Sequence, residues 1–417
     1  MDKFQVWGGR RLRGTIEVSG SKNAALPILF ATLLTDEPCT LARVPRLADI
    51  NTSIKLLTTL GKKVEWVGKK LVITKAKKLT GIAPYDLVRR MRASVLVMGP
   101  LLARMGKAHV SLPGGCAIGA RPVNFHLQGF KQMGVRFEIH KGYIDARVQE
   151  LKGGVVKFPY ASVGATENLM MGAVLAKGTT VIKNAAREPE IVDLGLMLKG
   201  MGASIRGLGT STLTIQGVDS LGGVNHTVIP DRIETGTFII AAAITKGDVT
   251  LRGVDLSHLT DVIKRLKKSR LSLKTQGNNV RVRWVRPLKP MSIKTDVYPG
   301  FPTDMQAQWI TLMSVLKGSC KISETVFENR FLHVHELLRF GADINLKGRE
   351  AYVKGVERLS GCAAMVSDLR AGAAMVLAAL AAEGQSDVLR IYHLDRGYED
   401  LEQKLSKLGA KIRRVKE

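Results

Sequence analysis

The residues best equipped for chemistry lie in Ser111-Leu112-Pro113-Gly114-Gly115-Cys116-Ala117-Ile118-Gly119-Ala120-Arg121-Pro122, where one cysteine sits among three glycines and two prolines, with an arginine five residues on. Glycine lets backbone approach a ligand closely, and proline restricts the entry and exit of the loop. A cationic neighbour favours the thiolate, so Cys116 can act as nucleophile or proton donor. The plainer alternative is a small, half-buried thiol in a tight turn. A second set of groups stands at helix starts: Lys22 in Ser21-Lys22-Asn23, Arg92 in Arg89-Arg90-Met91-Arg92-Ala93-Ser94, and Arg370 in Ser367-Asp368-Leu369-Arg370-Ala371. Arg396, in Asp395-Arg396-Gly397-Tyr398-Glu399, falls in the loop before the last helix. A cation at a helix N-terminus opposes the helix dipole, so Lys22, Arg92, Arg121, Arg370 and Arg396 together point to an anion held among them. Asp304, in Pro302-Thr303-Asp304-Met305, and Asp368 read either as N-caps or, among cations, as a base directed at a hydroxyl.

The elements that must position these groups recur about every 70 residues, which marks an internal repeat. A helical run ends in an apolar residue and a glycine, and a short alternating strand follows. The copies are Leu60-Gly61, Met133-Gly134, Met201-Gly202, Phe340-Gly341 and Leu408-Gly409. A sixth, degenerate copy at Lys268-Ser269-Arg270-Leu271 has lost the glycine. Each repeat also carries an earlier helix that is apolar nearly all round, as in Leu169-Met170-Met171-Gly172-Ala173-Val174 and Gly372-Ala373-Ala374-Met375-Val376. Such helices must be buried. The unit reads as strand, helix, strand, helix and a two-strand hairpin, with helices inside and sheets outside. Ile229-Pro230, near the midpoint, is a natural crossing between three units and three.

With 417 residues, 45% hydrophobic and 24% charged, the composition is that of a globular protein of two or three domains. No 18-residue apolar span is expected, and Met1-Asp2-Lys3-Phe4-Gln5-Val6-Trp7 lacks the apolar core of a signal peptide. Cys39, Cys116, Cys320 and Cys362 are scattered, which indicates neither a disulfide framework nor a zinc site and fits a reduced, cytoplasmic setting. The net charge of +27 is compatible with nucleic acid, with an anionic small substrate, or with a solvated basic surface. Only 5% of residues are aromatic and the lysine pairs are dispersed, which disfavours nucleic acid as a partner. His333-x-His335 has the spacing of a strand pair but no third ligand nearby, so a metal is disfavoured.

Several segments, in order along essentially the whole chain, resemble the UDP-N-acetylglucosamine 1-carboxyvinyltransferase family of enolpyruvyl transferases. They are Gly20-Ser21-Lys22-Asn23-Ala24-Ala25, Pro113 to Pro122, Arg187-Glu188-Pro189-Glu190-Ile191-Val192-Asp193 and Pro230-Asp231-Arg232-Ile233-Glu234-Thr235-Gly236. The others are Tyr298-Pro299-Gly300-Phe301-Pro302-Thr303-Asp304, Phe327-Glu328-Asn329-Arg330-Phe331, Ser367 to Ala373 and Asp395 to Glu399.

The resemblance implies an α+β fold, the two-domain inside-out α/β barrel of six repeated units. One domain would span 22–229 and carry the cysteine loop. The other would join 1–21 to 230–417, with the active site in the cleft between them. The implied activity moves the enolpyruvyl group of phosphoenolpyruvate to the 3-hydroxyl of UDP-N-acetylglucosamine, the first committed step of peptidoglycan synthesis. Lys22, Arg121 and Arg396 would hold phosphoenolpyruvate, assisted by Arg370. Cys116 would be the general acid at C3, able to form an adduct and open to alkylation by fosfomycin. Asp304 would be the base near the sugar hydroxyl or a positioning group. Asn23, Arg92, Arg121, Pro122, Val123, Asn124, Phe125, Ser162, Val163, Gly164 and Val326 would contact the sugar nucleotide. Asn124 departs from the aspartate common in the family. No metal or organic cofactor is implied, and neither a membrane nor nucleic acid is an expected partner.

Overall fold

The computed structural model describes residues 2–89, 91–112 and 123–416. Cys116, Arg121 and Pro122 therefore lie outside the described residues. The described chain forms two compact units, one of residues 20–112 and 123–229 and the other of residues 2–19 and 230–416. They are called here the Lys22 unit and the Asp304 unit. Each contains three four-stranded sheets and its own apolar core.

One repeat of the Lys22 unit shows how sequence becomes architecture. Strand Val155–Lys157 leads to helix Val163–Ala173, strand Thr179–Lys183, helix Pro189–Gly200 and a hairpin of Ser204–Arg206 with Thr212–Gln216. The first two strands pair in parallel, and the hairpin adds antiparallel to the second. Val156, Ile182, Leu213, Ile215 and Ile205 all fall on the buried face, because alternate residues of a strand point the same way. Three sheets complete themselves with a strand from far along the chain. Val224–Thr227 pairs with Cys39–Ala42, Arg13–Glu17 pairs with Asp248–Arg252, and Asp2–Trp7 lies between Gln385–Leu389 and Lys411–Lys416.

The helices Lys22–Ala31, Val163–Ala173, Arg232–Ile244, Gln306–Met313 and Leu369–Ala381 are buried almost throughout. The strands alternate buried and exposed residues. Within each unit the helices are thus interior and the sheets exterior, and among the described residues no sheet closes on itself. No helix among the described residues is long and apolar enough to cross a membrane.

Six helix ends share one backbone device. Gly61, Gly134, Gly202, Gly341 and Gly409 take φ of 111°, 94°, 107°, 86° and 92°. At the degenerate copy Arg270 takes φ 79° instead. Leu271 N–H reaches Leu266 O at 3.0 Å, as Ala203 N–H reaches Leu198 O at 2.9 Å, so the same left-handed cap is kept without glycine. A side chain there carries strain of about 1 kcal/mol.

Two local expectations change. His333 and His335 stand on a helix, Leu332–Arg339, because His333, Val334 and Leu337 share a buried helical face rather than alternating. Arg396 ends a 3-10 helix, Ile391–Arg396, rather than lying in open loop. Arg92 does stand at a helix start, as expected: it opens the 3-10 helix Arg92–Val97, which runs into helix Met98–Met105.

Candidate active-site residues

Lys22 is the first residue of helix Lys22–Ala31, whose N-terminus is capped by the Ser21 hydroxyl accepting from Ala24 N–H at 3.3 Å. Its Nζ meets Asp49 Oδ2 at 2.7 Å, with side-chain exposures of only 9% and 6%. Asp49 lies in the first turn of helix Ala48–Thr59, on the stripe shared with Ser53 and Leu56. A buried ammonium and a buried carboxylate each need the other, so this pair fixes where Nζ points. The Lys22 helix packs against the Arg92–Val97 segment, and both Asn23 and Arg92 are partly exposed.

In the same unit the fold brings two predicted stretches together. Val123 precedes helix Asn124–Gln132, and Ser162 caps helix Val163–Ala173 by accepting from Ala165 N–H at 3.4 Å. The two helices pack against each other. Asn124 and Val163 are exposed, whereas Phe125 is buried with its ring edge-on to Tyr160 at 4.7 Å. Gly164 lies against the His126 ring. Asn168 accepts from Gly99 N–H at 2.7 Å and donates to Val95 O at 3.1 Å, and its amide nitrogen lies 2.9 Å from His126 Nδ1. An amide nitrogen only donates, so Nδ1 accepts and the imidazole proton sits on Nε2. Burial, with Arg92 nearby, pushes His126 down to about 3, so the ring is neutral. The two helix N-termini lie side by side, with Gly164 against His126, and a helix N-terminus suits an anionic ligand. Deeper in the helix, burial and then the charges of Glu190 and Glu188 hold the Glu167 carboxyl well above its usual range.

In the Asp304 unit, Asp304 sits in the 3-10 turn Thr303–Met305 that enters helix Gln306–Met313. It is not an N-cap. Its Oδ1 accepts from Arg330 Nη2 at 2.8 Å, and its Oδ2 accepts from Arg370 Nε at 3.1 Å and Nη2 at 2.9 Å. Asp368 is the cap: it accepts from Arg370 N–H at 2.9 Å and Ala371 N–H at 3.1 Å. Arg370 also reaches the Tyr398 hydroxyl at 3.4 Å, and that hydroxyl lies 2.9 Å from Thr237 Oγ1. Burial opposes the Arg370 charge, but Asp304, Tyr398 and Asp231 more than offset it, so its pKa is raised above the usual guanidinium value. Arg330 has a buried Nη1 with no hydrogen-bond partner among the described residues. Val326 is exposed, with its N–H donated to Glu324 Oε1 at 2.8 Å, and Arg396 is partly exposed.

Two residues that the sequence reading did not single out belong to these clusters. Asp49 had a signal, a carboxylate on an otherwise apolar helical stripe. Arg330 had one too, an arginine inside a quoted motif. Among the described residues no group of three or more His, Cys, Asp or Glu side chains could hold a metal ion. Cys39 and Cys320 are buried and Cys362 partly so, as expected of packing thiols.

The profile of the family described as EPSP synthase (3-phosphoshikimate 1-carboxyvinyltransferase) matches residues 6–405. The UDP-N-acetylglucosamine 1-carboxyvinyltransferase of Endomicrobium trichonymphae is 57% identical over 414 residues, 99% of each chain. The protein of the same name from Geotalea uraniireducens is 54% identical over 417 residues, all of both chains. Among solved structures, the enolpyruvyl transferase NikO from Streptomyces tendae superposes with a TM-score of 0.91 at 25% identity over 99% of both chains. The EPSP synthase of Acinetobacter baumannii, at 16% identity and a TM-score of 0.79 over the full length of both chains, shares the fold. Full-length identity above one half and the inside-out arrangement of helices and sheets agree: the chain belongs to the UDP-N-acetylglucosamine 1-carboxyvinyltransferase family of enolpyruvyl transferases.

Proposed function

We infer that this protein transfers the enolpyruvyl group of phosphoenolpyruvate to the 3-hydroxyl of UDP-N-acetylglucosamine and releases phosphate. The observation that carries the reading is identity above one half, over the whole chain, to proteins bearing that activity in their names. The chemistry is addition followed by elimination. The sugar hydroxyl oxygen bonds to C2 of phosphoenolpyruvate, its proton leaves to a base, and C3 gains a proton. The C2–O bond to phosphate then breaks as C3 gives a proton back, which restores the double bond.

Both substrates are anionic and the intermediate is more crowded than either, so preorganised cations are the main resource. In this reading Lys22, Arg121 and Arg396 hold phosphoenolpyruvate, and Cys116 delivers the proton to C3. The Lys22–Asp49 pair supports the first assignment, since Asp49 holds the ammonium in one direction without exposing it to water. Val123, Asn124 and Phe125, with Ser162, Val163 and Gly164, take the sugar nucleotide, its diphosphate facing the paired helix N-termini. Asn23, Arg92, Pro122 and Val326 complete that contact.

Asp304 serves the sugar hydroxyl. Both of its oxygens are engaged by guanidinium groups, which fix the direction of the carboxylate. That geometry favours a positioning role, with Arg330 and Arg370 as its anchors.

The test is phosphate release measured with phosphoenolpyruvate and each acceptor in turn. Turnover with UDP-N-acetylglucosamine and none with shikimate 3-phosphate supports the inference. The reverse preference overturns it.

A further inference from the structure

A basic depression of about 600 Å³, open to solvent, lies in the Asp304 unit, and none of Asp304, Arg330, Arg370 or Arg396 lines it. It forms on the solvent face of the sheet built from Arg13–Glu17, Asp248–Arg252 and Asn279–Arg283. The register sets Arg13, Asp248 and Arg283 in one row across three strands, and Thr15, Thr250 and Arg281 in the next. The intervening Val249, Leu251, Val280 and Val282 are buried in the core, so the outward side chains have a fixed platform. The end wall is equally fixed: Asp248 N–H bonds Leu12 O at 2.9 Å, and Trp284 N–H bonds Gly247 O at 3.0 Å.

Five cations line the cavity (Arg11, Arg13, Lys246, Arg281 and Arg283) against one carboxylate, Asp248. Asp248 is already taken by Arg281, whose Nε and Nη2 reach its two oxygens at 2.8 and 2.7 Å. Arg11, Arg13 and Arg283 have no ion-pair partner among the described residues. Arg13 and Arg283 stand two strand spacings apart, roughly 9–10 Å. That span suits two or more linked phosphates better than one, and the guanidinium fork matches phosphate oxygens. Beside them Trp284 offers an aromatic face, with Lys246 Nζ 5.7 Å from the ring centroid. A volume of this size is that of a small-molecule site, typically about 300–1,000 Å³. A single-stranded nucleic acid instead needs a long track with several stacking rings.

We propose that this face is a binding site for a nucleoside di- or triphosphate, with the arginines on the phosphates and Trp284 under the base. The site is separate from the proposed transfer chemistry and does not depend on it.

Calorimetric titration of the full chain with ATP and with inorganic tripolyphosphate tests this. ATP should bind at this site, at least about tenfold more weakly after Arg281→Ser/Arg283→Ser, since each charged hydrogen bond lost is worth that much. Arg13→Ser breaks no ion pair and should shift binding in the same direction, which covers the case in which the double variant perturbs Asp248. Trp284→Leu should lower ATP affinity to that of tripolyphosphate, and Trp284→Phe should keep it. ATP affinity indifferent to all three arginines would overturn the proposal, as would tripolyphosphate binding as tightly as ATP. Tighter binding of a 20-nucleotide RNA than of ATP, with the same arginine dependence, would replace it with a nucleic-acid surface.

Discussion

Replacing Asp304 with asparagine keeps the side chain's size and removes its charge. The change strands two guanidinium groups, Arg330 and Arg370, whose side chains are each 4% exposed. Removing one partner of a buried ion pair costs about 3–5 kcal/mol. Asp304 itself is 26% exposed, so solvent screens part of the interaction and the cost falls below that range, to about 2–3 kcal/mol. For a unit of this size each kcal/mol lowers the melting temperature by about 2–4 °C, which gives a fall of roughly 4–12 °C. The assay is differential scanning calorimetry of the parent and the Asp304→Asn variant, first in phosphate-free buffer and then with added phosphate. Phosphate should restore part of the loss, because an oxyanion can sit between the stranded arginines. Arg330→Gln combined with Asp304→Asn should cost less than the two changes summed, since the pair is coupled. An Asp304→Asn protein that melts with the parent in both buffers would refute the reasoning, and with it the claim that Asp304 anchors the two arginines.

Other outcomes follow from the same contacts. Arg270→Gly should stabilise the Asp304 unit by no more than about 0.6 kcal/mol, since about 1 kcal/mol of left-handed strain is relieved but the added entropy of the unfolded chain takes back about 0.4–1 kcal/mol. Gly202→Ala, at φ 107° with open space around a Cβ, should destabilise the other unit, and urea melts check both. His126 is held down to about 3 by burial, so the unfolded chain takes up a proton below pH 6.5 that the folded chain does not. Its contribution is complete above pH 6.5 and falls as the pH drops, by about 2 kcal/mol at pH 5. Proton NMR should find its ring neutral at that pH, and titration near 6.5 would contradict this. Glu167 has the opposite sign: its raised carboxyl stabilises below about pH 4.5 and loses that stability as pH rises. Glu167→Gln should therefore raise the urea midpoint at pH 8 and change it little at pH 5. Asp49→Asn should raise the Michaelis constant for phosphoenolpyruvate by at least about tenfold, because it unfixes Lys22.

The repeat was legible because it rests on local signals. A glycine at each helix end and helices apolar on every side determine what turns and what is buried, whatever the partner. The borrowed strands were less so, since nothing in Arg13–Glu17 or Val224–Thr227 names the distant strand each pairs with. Arg270 shows the limit of residue-type signals: the backbone kept its left-handed turn after the glycine that announces it was lost. Among the site residues, Lys22, Asp304 and Arg370 were visible as charges at helix starts. What held them was not. Asp49 and Arg330 come from segments 27 residues after Lys22 and 26 after Asp304, and only folding sets them against their partners. Asp368 and Asp304 looked alike as candidate caps. The structure separates them by their acceptors' partners, backbone N–H groups for one and guanidinium groups for the other.

The measurement that bears most directly on the account is phosphate release from phosphoenolpyruvate in the presence of UDP-N-acetylglucosamine, by the parent and by Cys116→Ser, with and without prior exposure to fosfomycin. The account predicts release that requires both substrates, is largely lost in Cys116→Ser, and is abolished by fosfomycin in the parent. Release independent of the sugar nucleotide, or undiminished by both the substitution and the epoxide, would contradict it.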